Sequence, residues 1–205
     1  MTRLGFLIAR ALRQDAPLRA MSAGQGALLA DLSGKRVALV GNARAQATRD
    51  DGAAIDAADL VIRINRAPMP AGRSHGTRTD WLALATAISS TDLARIRPAR
   101  ILWMSPKRKR LAWSVARTPG FYLHPLPAYH ALSDCIGAPP TTGLMMIDLL
   151  LQSDLARLDL YGFDFFASLS LTGSRTAAQV PHDFPAERTH VQTLAAHDPR
   201  LHLSL

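Results

Sequence analysis

The sequence predicts an α/β fold built on one mostly parallel sheet with helices on both faces. Short apolar runs stop at Gly or Asn, helical patterns fill the intervals between them, and no repeat or low-complexity segment interrupts the alternation. Strands that alternate with helices need crossover connections, which lay helices over both faces of a parallel sheet. A length of 205 residues suits one domain with one sizeable core.

Residues 1–13 mix Arg with apolar residues at helical spacing. The apolar run is short and lacks a small-residue cleavage site, so it does not read as a signal peptide. It reads as an amphipathic helix packed on its own domain, as a loose terminus, or as a peripheral contact with an anionic membrane surface. Residues 14–34, which hold Pro17, Gly24, Gly26 and Gly34, read as a connection. The organisation is therefore a head, 1–34, followed by a main domain, 35–205. Gly24-Gln-Gly26 has neither a preceding strand nor a third glycine and is not a dinucleotide fingerprint.

Val37–Val40 predicts the first strand of the main domain, closing at Gly41-Asn42. Leu60–Ile64 predicts the second, closing at Asn65 and the breakers Pro68 and Pro70. Trp81–Leu84, Arg100–Met104, Leu158–Tyr161 (closing at Gly162) and Leu201–Leu203 predict four more. Helical patterns stand out at Gly143–Gln152 and Ala186–Ala196. In open sheets of this kind, ligands gather at the carboxyl ends of the strands. That rule alone points to Gly41, Asn42, Asn65 and Gly162.

Lys and Arg number 24 against 16 Asp and Glu, a net charge of +8. Only Lys35, Lys107 and Lys109 are lysines, so the basic character is mostly Arg, which pairs bidentately with phosphate and carboxylate. An anionic partner follows, but no nucleic-acid motif accompanies the run Lys107-Arg-Lys-Arg110, which reads as a solvated face. Cys135 is the one cysteine, which excludes an intrachain disulfide and, with no Cys/His cluster, a structural zinc site. No run of about 18 apolar residues is present to span a membrane.

Four pieces carry chemistry. Val37–Asn42 ends a strand in Gly-Asn, which lets backbone approach a ligand beside an amide that both donates and accepts; a tight turn uses the same pair. Gly52–Asp56 precedes Asp59–Pro68, where Arg63 interrupts an apolar strand and needs a carboxylate or carbonyl partner; Asp56 and Asp59 are the nearby carboxylates. Gly76-Thr-Arg-Thr-Asp80 then leads into the next strand. In Ala138–Ile147, Thr141 or Thr142 is the expected N-cap of an apolar helix, whose first N–H groups suit a phosphate or carboxylate. In His182–Glu187, a histidine able to accept a proton stands just before the last helix. Glu187, one turn in, orients that histidine or the chain around it.

In this order the pieces resemble the motifs of glycosyltransferase family 29. Gly41-Asn42, Gly52-x-x-Ile-Asp56, Val61-Ile-Arg-x-Asn-x-Ala-Pro68 and Gly76-Thr-Arg-Thr79 are similar to its large sialyl motif. Pro140–Ile147 with Leu160–Phe163 is similar to its small motif, and His182 with Glu187 to its very small motif. The resemblance covers about Lys35 to Leu205. It implies a single Rossmann-like sheet, the sialyltransferase-type variant of the GT-A fold. It also implies an inverting transfer from CMP-sialic acid, or a related acidic donor such as CMP-Kdo, to a glycan or glycolipid hydroxyl.

Carried over by residue, the resemblance gives Gly41, Asn42, Asn65, Thr141, Thr142 and Gly143 as donor-binding. His182 becomes the general base, with Glu187 beside it. No Asp-x-Asp pair occurs, in keeping with a family that requires no metal. The chain departs from the family's pattern where no histidine stands between Tyr161 and His182 to assist the departing phosphate; Arg175, or a residue from elsewhere such as His75 or Arg78, is left to substitute, and the spacing assigns none of them. Val37 and the region of Ser153 stand where animal members carry bridged cysteines, which fits a reducing, cytoplasmic setting, peripheral at an inner membrane if residues 1–13 bind lipid. The alternative is a non-catalytic relative that binds a CMP nucleotide as an accessory or regulatory protein.

Overall fold

A computed structural model of the chain describes residues 1–165, 170–171 and 179–204. Seven strands form one parallel sheet: β1 (Arg36–Val40), β2 (Leu60–Ile64), β3 (Trp81–Leu84), β4 (Arg100–Trp103), β5 (Tyr122–Leu123), β6 (Arg157–Tyr161) and β7 (Leu201–Ser204). The spatial order is β5-β4-β3-β2-β1-β6-β7, so the chain winds outward from β1 to β5, returns across the sheet, and continues on the other side of β1. β5 is the strand the sequence does not announce. Two residues are too few to show a period, and only Leu102↔Tyr122 and Trp103↔Leu123 pair it to β4.

Alternation along the strands divides the core between the faces of the sheet. In β3, Trp81 and Ala83 join the cluster holding Leu28, Leu32, Leu132, Val191 and the helix Thr142–Leu151. Leu82 and Leu84 join the opposite cluster of Phe6, Leu18, Trp103, Leu111 and Val115. Thr142–Leu151 is buried on almost every side, which explains its unbroken Leu-Met-Met-Ile pattern.

In the head, the expected N-terminal helix is present and the segment read as a connection, 14–34, contains short helices. After the helix Arg3–Ala11 come two short helices, Asp15–Arg19 and Gln25–Ala30, and Leu18 and Leu28 are buried from them. Pro17 lies in the first turn of its helix, where an N–H has no intrahelical partner, and Gly24 is the N-cap of the next. The breakers here punctuate helices; they do not mark a coil.

Beneath the middle of the sheet, a polar knot ties the segments of the large motif together. The fully buried Arg63 donates from Nε to the Arg78 carbonyl (2.8 Å) and to Thr79 Oγ1 (3.0 Å), and from one terminal nitrogen to the His75 carbonyl (2.5 Å). Its hydrogen-bond partners are thus carbonyls and a hydroxyl, not Asp56 or Asp59. Burial pushes the guanidinium down to about 10, while the charges of Asp56 and Asp80 oppose that shift. Asp56 instead accepts from the N–H groups of Thr77 and Arg78 and from Thr77 Oγ1, all within 3.0 Å. Gly76 adopts φ +66° there, and a Cβ on it would lie 2.5 Å from Asp56 Oδ1.

The run Lys107–Arg110 also departs from a solvated face. Arg108 is buried and pairs with Asp15 (2.7 Å) while donating to the carbonyls of Ser105 (2.8 Å) and His124 (2.6 Å). Only its neighbours Lys107, Lys109 and Arg110 face solvent.

Candidate active site

The order of the strands reverses between β1 and β6, and in an open parallel sheet the crevice at such a switch point is where ligands bind. Past the strand ends the two chains stay zipped. Gly41 N–H donates to the Tyr161 carbonyl (2.7 Å) and Ala43 N–H to the Gly162 carbonyl (3.1 Å). A Cβ on Gly41 would fall 2.3 Å from the Gly162 carbonyl oxygen, so the close approach itself demands glycine. Gly162 turns the other chain away with φ +66°.

Two asparagines stand at neighbouring strand ends. Asn42 is nearly buried, and its amide reaches the Ile64 carbonyl (3.4 Å), joining the end of β1 to β2. Asn65 takes the left-handed conformation (φ +53°), which Asn tolerates better than most residues. Its N–H donates to Ala83 and its Oδ1 accepts from Ala85 N–H (3.1 Å), so the group it presents to a ligand is its NH₂.

Across the crevice begins the helix Thr142–Leu151. Thr141 is the N-cap and Thr142 the first helical residue, which settles the choice between the two threonines. Thr141 Oγ1 accepts from Leu144 N–H (3.1 Å), leaving the N–H groups of Thr142 and Gly143 without intrahelical partners at the positive end of the helix dipole. Gly143 is constrained as Gly41 is: a Cβ there would lie 2.5 Å from the Phe163 ring.

A second helix, Phe184–His197, starts at the same place. Its N-cap Asp183 accepts from Ala186 N–H (2.9 Å), which fixes His182 immediately before it. His182 Nδ1 lies 2.7 Å from the Pro139 carbonyl oxygen. A carbonyl only accepts, so Nδ1 carries the hydrogen and Nε2 of the neutral ring is the basic nitrogen.

Of the two roles expected of Glu187, its contacts fit the positioning of the chain around the histidine. Glu187 is buried, and its two oxygens accept from Thr141 N–H (2.6 Å) and Thr141 Oγ1 (2.7 Å). Glu187 therefore clamps the start of one helix to the start of the other. Burial pushes its carboxyl up to about 7 against the pull of the two Thr141 hydrogen bonds.

Gly41, Asn42, Asn65, Thr141, Thr142, Gly143, His182 and Glu187 all line one cleft of about 250 Å³. Sequence reasoning missed Asp164, Phe165, Ser170 and Val180, which complete it from the chain after β6. The signal for them is only their position beyond the carboxyl end of β6, because no motif marks them. No Lys or Arg lines the cleft among the described residues, so an anion there meets amide N–H groups and a helix dipole. His75 is buried against Ser74 (2.8 Å), and Arg78 is held by Asp80 and the carbonyls of Asp56 and Ala58. Neither lines the cleft, so neither replaces the absent third-motif histidine; Arg175 lies outside the described residues. No cluster of three or more His, Cys, Asp or Glu side chains suited to a metal ion occurs among the described residues.

No curated protein matches this chain in sequence. The model of glycosyltransferase family 29 (sialyltransferase) matches residues 18–112, from the head through the basic turn after β4. Among solved structures, a mammalian sialyltransferase in complex with Gal-beta-1-3GalNAc-ortho-nitrophenol is 17% identical, with a TM-score of 0.60 over 85% of this chain and 71% of that one. The sialyltransferase CstII from Campylobacter jejuni, in complex with the substrate analogue CMP-3FNeuAc, is 14% identical, with a TM-score of 0.52 over 82% of this chain and 78% of that one. These likenesses establish a shared fold across the whole sheet. With the family's own model matching residues 18–112, the chain is similar to the sialyltransferases of glycosyltransferase family 29 in sequence over that stretch and in fold over most of its length.

Proposed function

We propose that the cleft binds a CMP-activated acidic sugar, CMP-sialic acid or a relative such as CMP-Kdo, and transfers the sugar with inversion to a glycan or glycolipid hydroxyl. The observation that carries this reading is the convergence, at the switch point, of two strand-end asparagines, an open helix N-terminus and a histidine with its basic nitrogen available. Asn42 and Asn65 suit the polar edges of a nucleotide, and the N–H groups of Thr142 and Gly143 suit its phosphate or the sugar carboxylate.

In the reaction, His182 Nε2 takes the proton of the acceptor hydroxyl as that oxygen bonds to the anomeric carbon. The bond from the anomeric carbon to the phosphate oxygen breaks on the opposite face, and CMP leaves with the electron pair. Charge moves onto the phosphate as the sugar gains oxocarbenium character, so fixed N–H groups at the helix start stabilise the transition state more than the ground state. The Pro139 carbonyl holds the ring in the tautomer the step needs and steadies the imidazolium that forms. The reading invokes no metal. It places the reaction in the cytoplasm, in keeping with Cys135 as the one cysteine.

Calorimetric titration with CMP, CMP-sialic acid and CMP-Kdo, followed by incubation of each donor with a panel of glycan acceptors, tests the proposal. Tight CMP binding, with CMP released only when donor and acceptor are both present, is expected. A chain that binds none of the three contradicts the assignment of the cleft. One that binds CMP but turns over no donor contradicts the catalytic part.

A further inference from the structure

Every large apolar side chain that the described residues leave exposed lies in one segment: Met1, Leu4, Leu7, Ile8 and Leu12. Leu4 is 68% exposed and Leu12 64%. Leu4, Ile8 and Leu12 follow at four-residue intervals, so they stack along one side of the helix Arg3–Ala11 and its C-cap. The opposite side already anchors the helix. Phe6 and Ala9 are buried there, and the Phe6 ring packs 5.3 Å from that of Trp113. The outward stripe is therefore not needed to hold the helix on the fold, and contiguous exposed apolar surface of this kind marks an interaction site.

The charge around the stripe has one sign. Residues 1–14 contain Arg3, Arg10 and Arg13 and no Asp or Glu. Arg10 donates to the Leu111 carbonyl (3.0 Å), which pins the helix beside the turn Arg108–Arg110. Arg108 faces inward to Asp15, and Lys107, Lys109 and Arg110 remain exposed, as do Arg3 and Arg13. A second copy of the chain on this face would set one basic rim beside another. A nucleic acid would leave the leucines in water.

We infer that this face docks on an anionic lipid bilayer, with the stripe entering the headgroup boundary and the basic rim meeting lipid phosphates. The basic turn follows the carboxyl end of β4, the same edge of the sheet on which the cleft opens at β1 and β6. Docking would thus hold that edge of the sheet near the lipid surface. The inference is independent of which donor the cleft takes.

Vesicle co-sedimentation of the whole chain tests it, with phosphatidylcholine alone and with phosphatidylcholine containing about 30 mol% phosphatidylglycerol. The wild type is expected to bind the anionic vesicles, more weakly as salt rises, and to leave the neutral ones largely free. Leu4→Glu with Ile8→Glu is expected to reduce partitioning about tenfold or more. Lys109→Glu with Arg110→Glu is expected to reduce it several-fold and to flatten the salt dependence. All four positions are exposed, so the melting temperature stays put, and the second pair of substitutions decides the matter if the first fails to fold. Failure of the wild type to bind anionic vesicles overturns the inference, as does binding that neither pair reduces. So does a dimer in sedimentation velocity that Leu4→Glu with Ile8→Glu dissolves, because the face then belongs to a second copy.

Discussion

Two polar clusters sit near the central strands, and they dispose of their hydrogen bonds in opposite ways. In the knot, Arg63, Asp56 and the Gly76–Asp80 turn bond to one another and to backbone, so the cluster closes on itself except at one terminal nitrogen of Arg63, which has no partner among the described residues. In the cleft, Asn65 offers its NH₂, the Thr142 helix its first N–H groups and His182 its Nε2. A buried charge without a partner is costly, so a polar cluster that nothing visits must satisfy itself from the chain. A cluster that receives a ligand keeps valences open where that ligand will lie. The difference separates the residues that hold the large motif together from those that meet the substrate.

The most damaging way to break the comparison is Arg63→Met. It strands the carbonyls of His75 and Arg78 in the interior and is expected to cost about 3 kcal/mol or more of stability. Urea unfolding should show the loss, and activity should fall only as far as the folded fraction does. Next comes Gly143→Ala, which drives a methyl into the Phe163 ring. A stability loss of about 1–2 kcal/mol is expected, with weaker CMP binding by calorimetry. Phe163→Leu in the same chain should recover part of both.

Glu187 sharpens the comparison, because it belongs to the cleft yet is satisfied like a knot residue. Its folded value of about 7 lies above its ordinary 4.5, so the folded state holds the proton across that interval. The stability it contributes is complete below the lower value and is lost as pH rises through the upper one, at no more than about 1.4 kcal/mol per pH unit. Glu187→Gln keeps a group able to bond Thr141 and removes the titration. The variant is expected to match the wild type near pH 4.5 and to exceed it by about 1 kcal/mol near pH 8, read from urea midpoints. Equal pH slopes in the two proteins would show that the clamp does not titrate.

The sheet was largely legible because β1, β2, β3, β4, β6 and β7 are short apolar runs, of which β1, β2 and β6 stop at Gly or Asn. β5 was not, since its two residues carry no periodicity. Pro17 and Gly24 suggested a connection, because the same residues also open short helices. The ordered motifs brought Gly41, Asn42, Asn65, Thr141–Gly143, His182 and Glu187 to one place in advance. They did not tell that Glu187 grips Thr141, that Arg63 is held by carbonyls, or that His75 and Arg78 lie away from the cleft. Those facts depend on which atoms meet after folding, and residue type alone does not fix them.

The account stands most directly on His182, the one cleft residue to which a step in bond-making is assigned. CMP release from CMP-sialic acid with a glycan acceptor should be measured for the wild type and for His182→Ala, alongside CMP titration of both. The account predicts unchanged CMP affinity and a kcat lowered by about 10²- to 10⁴-fold in the variant. Equal turnover by the two proteins would contradict it.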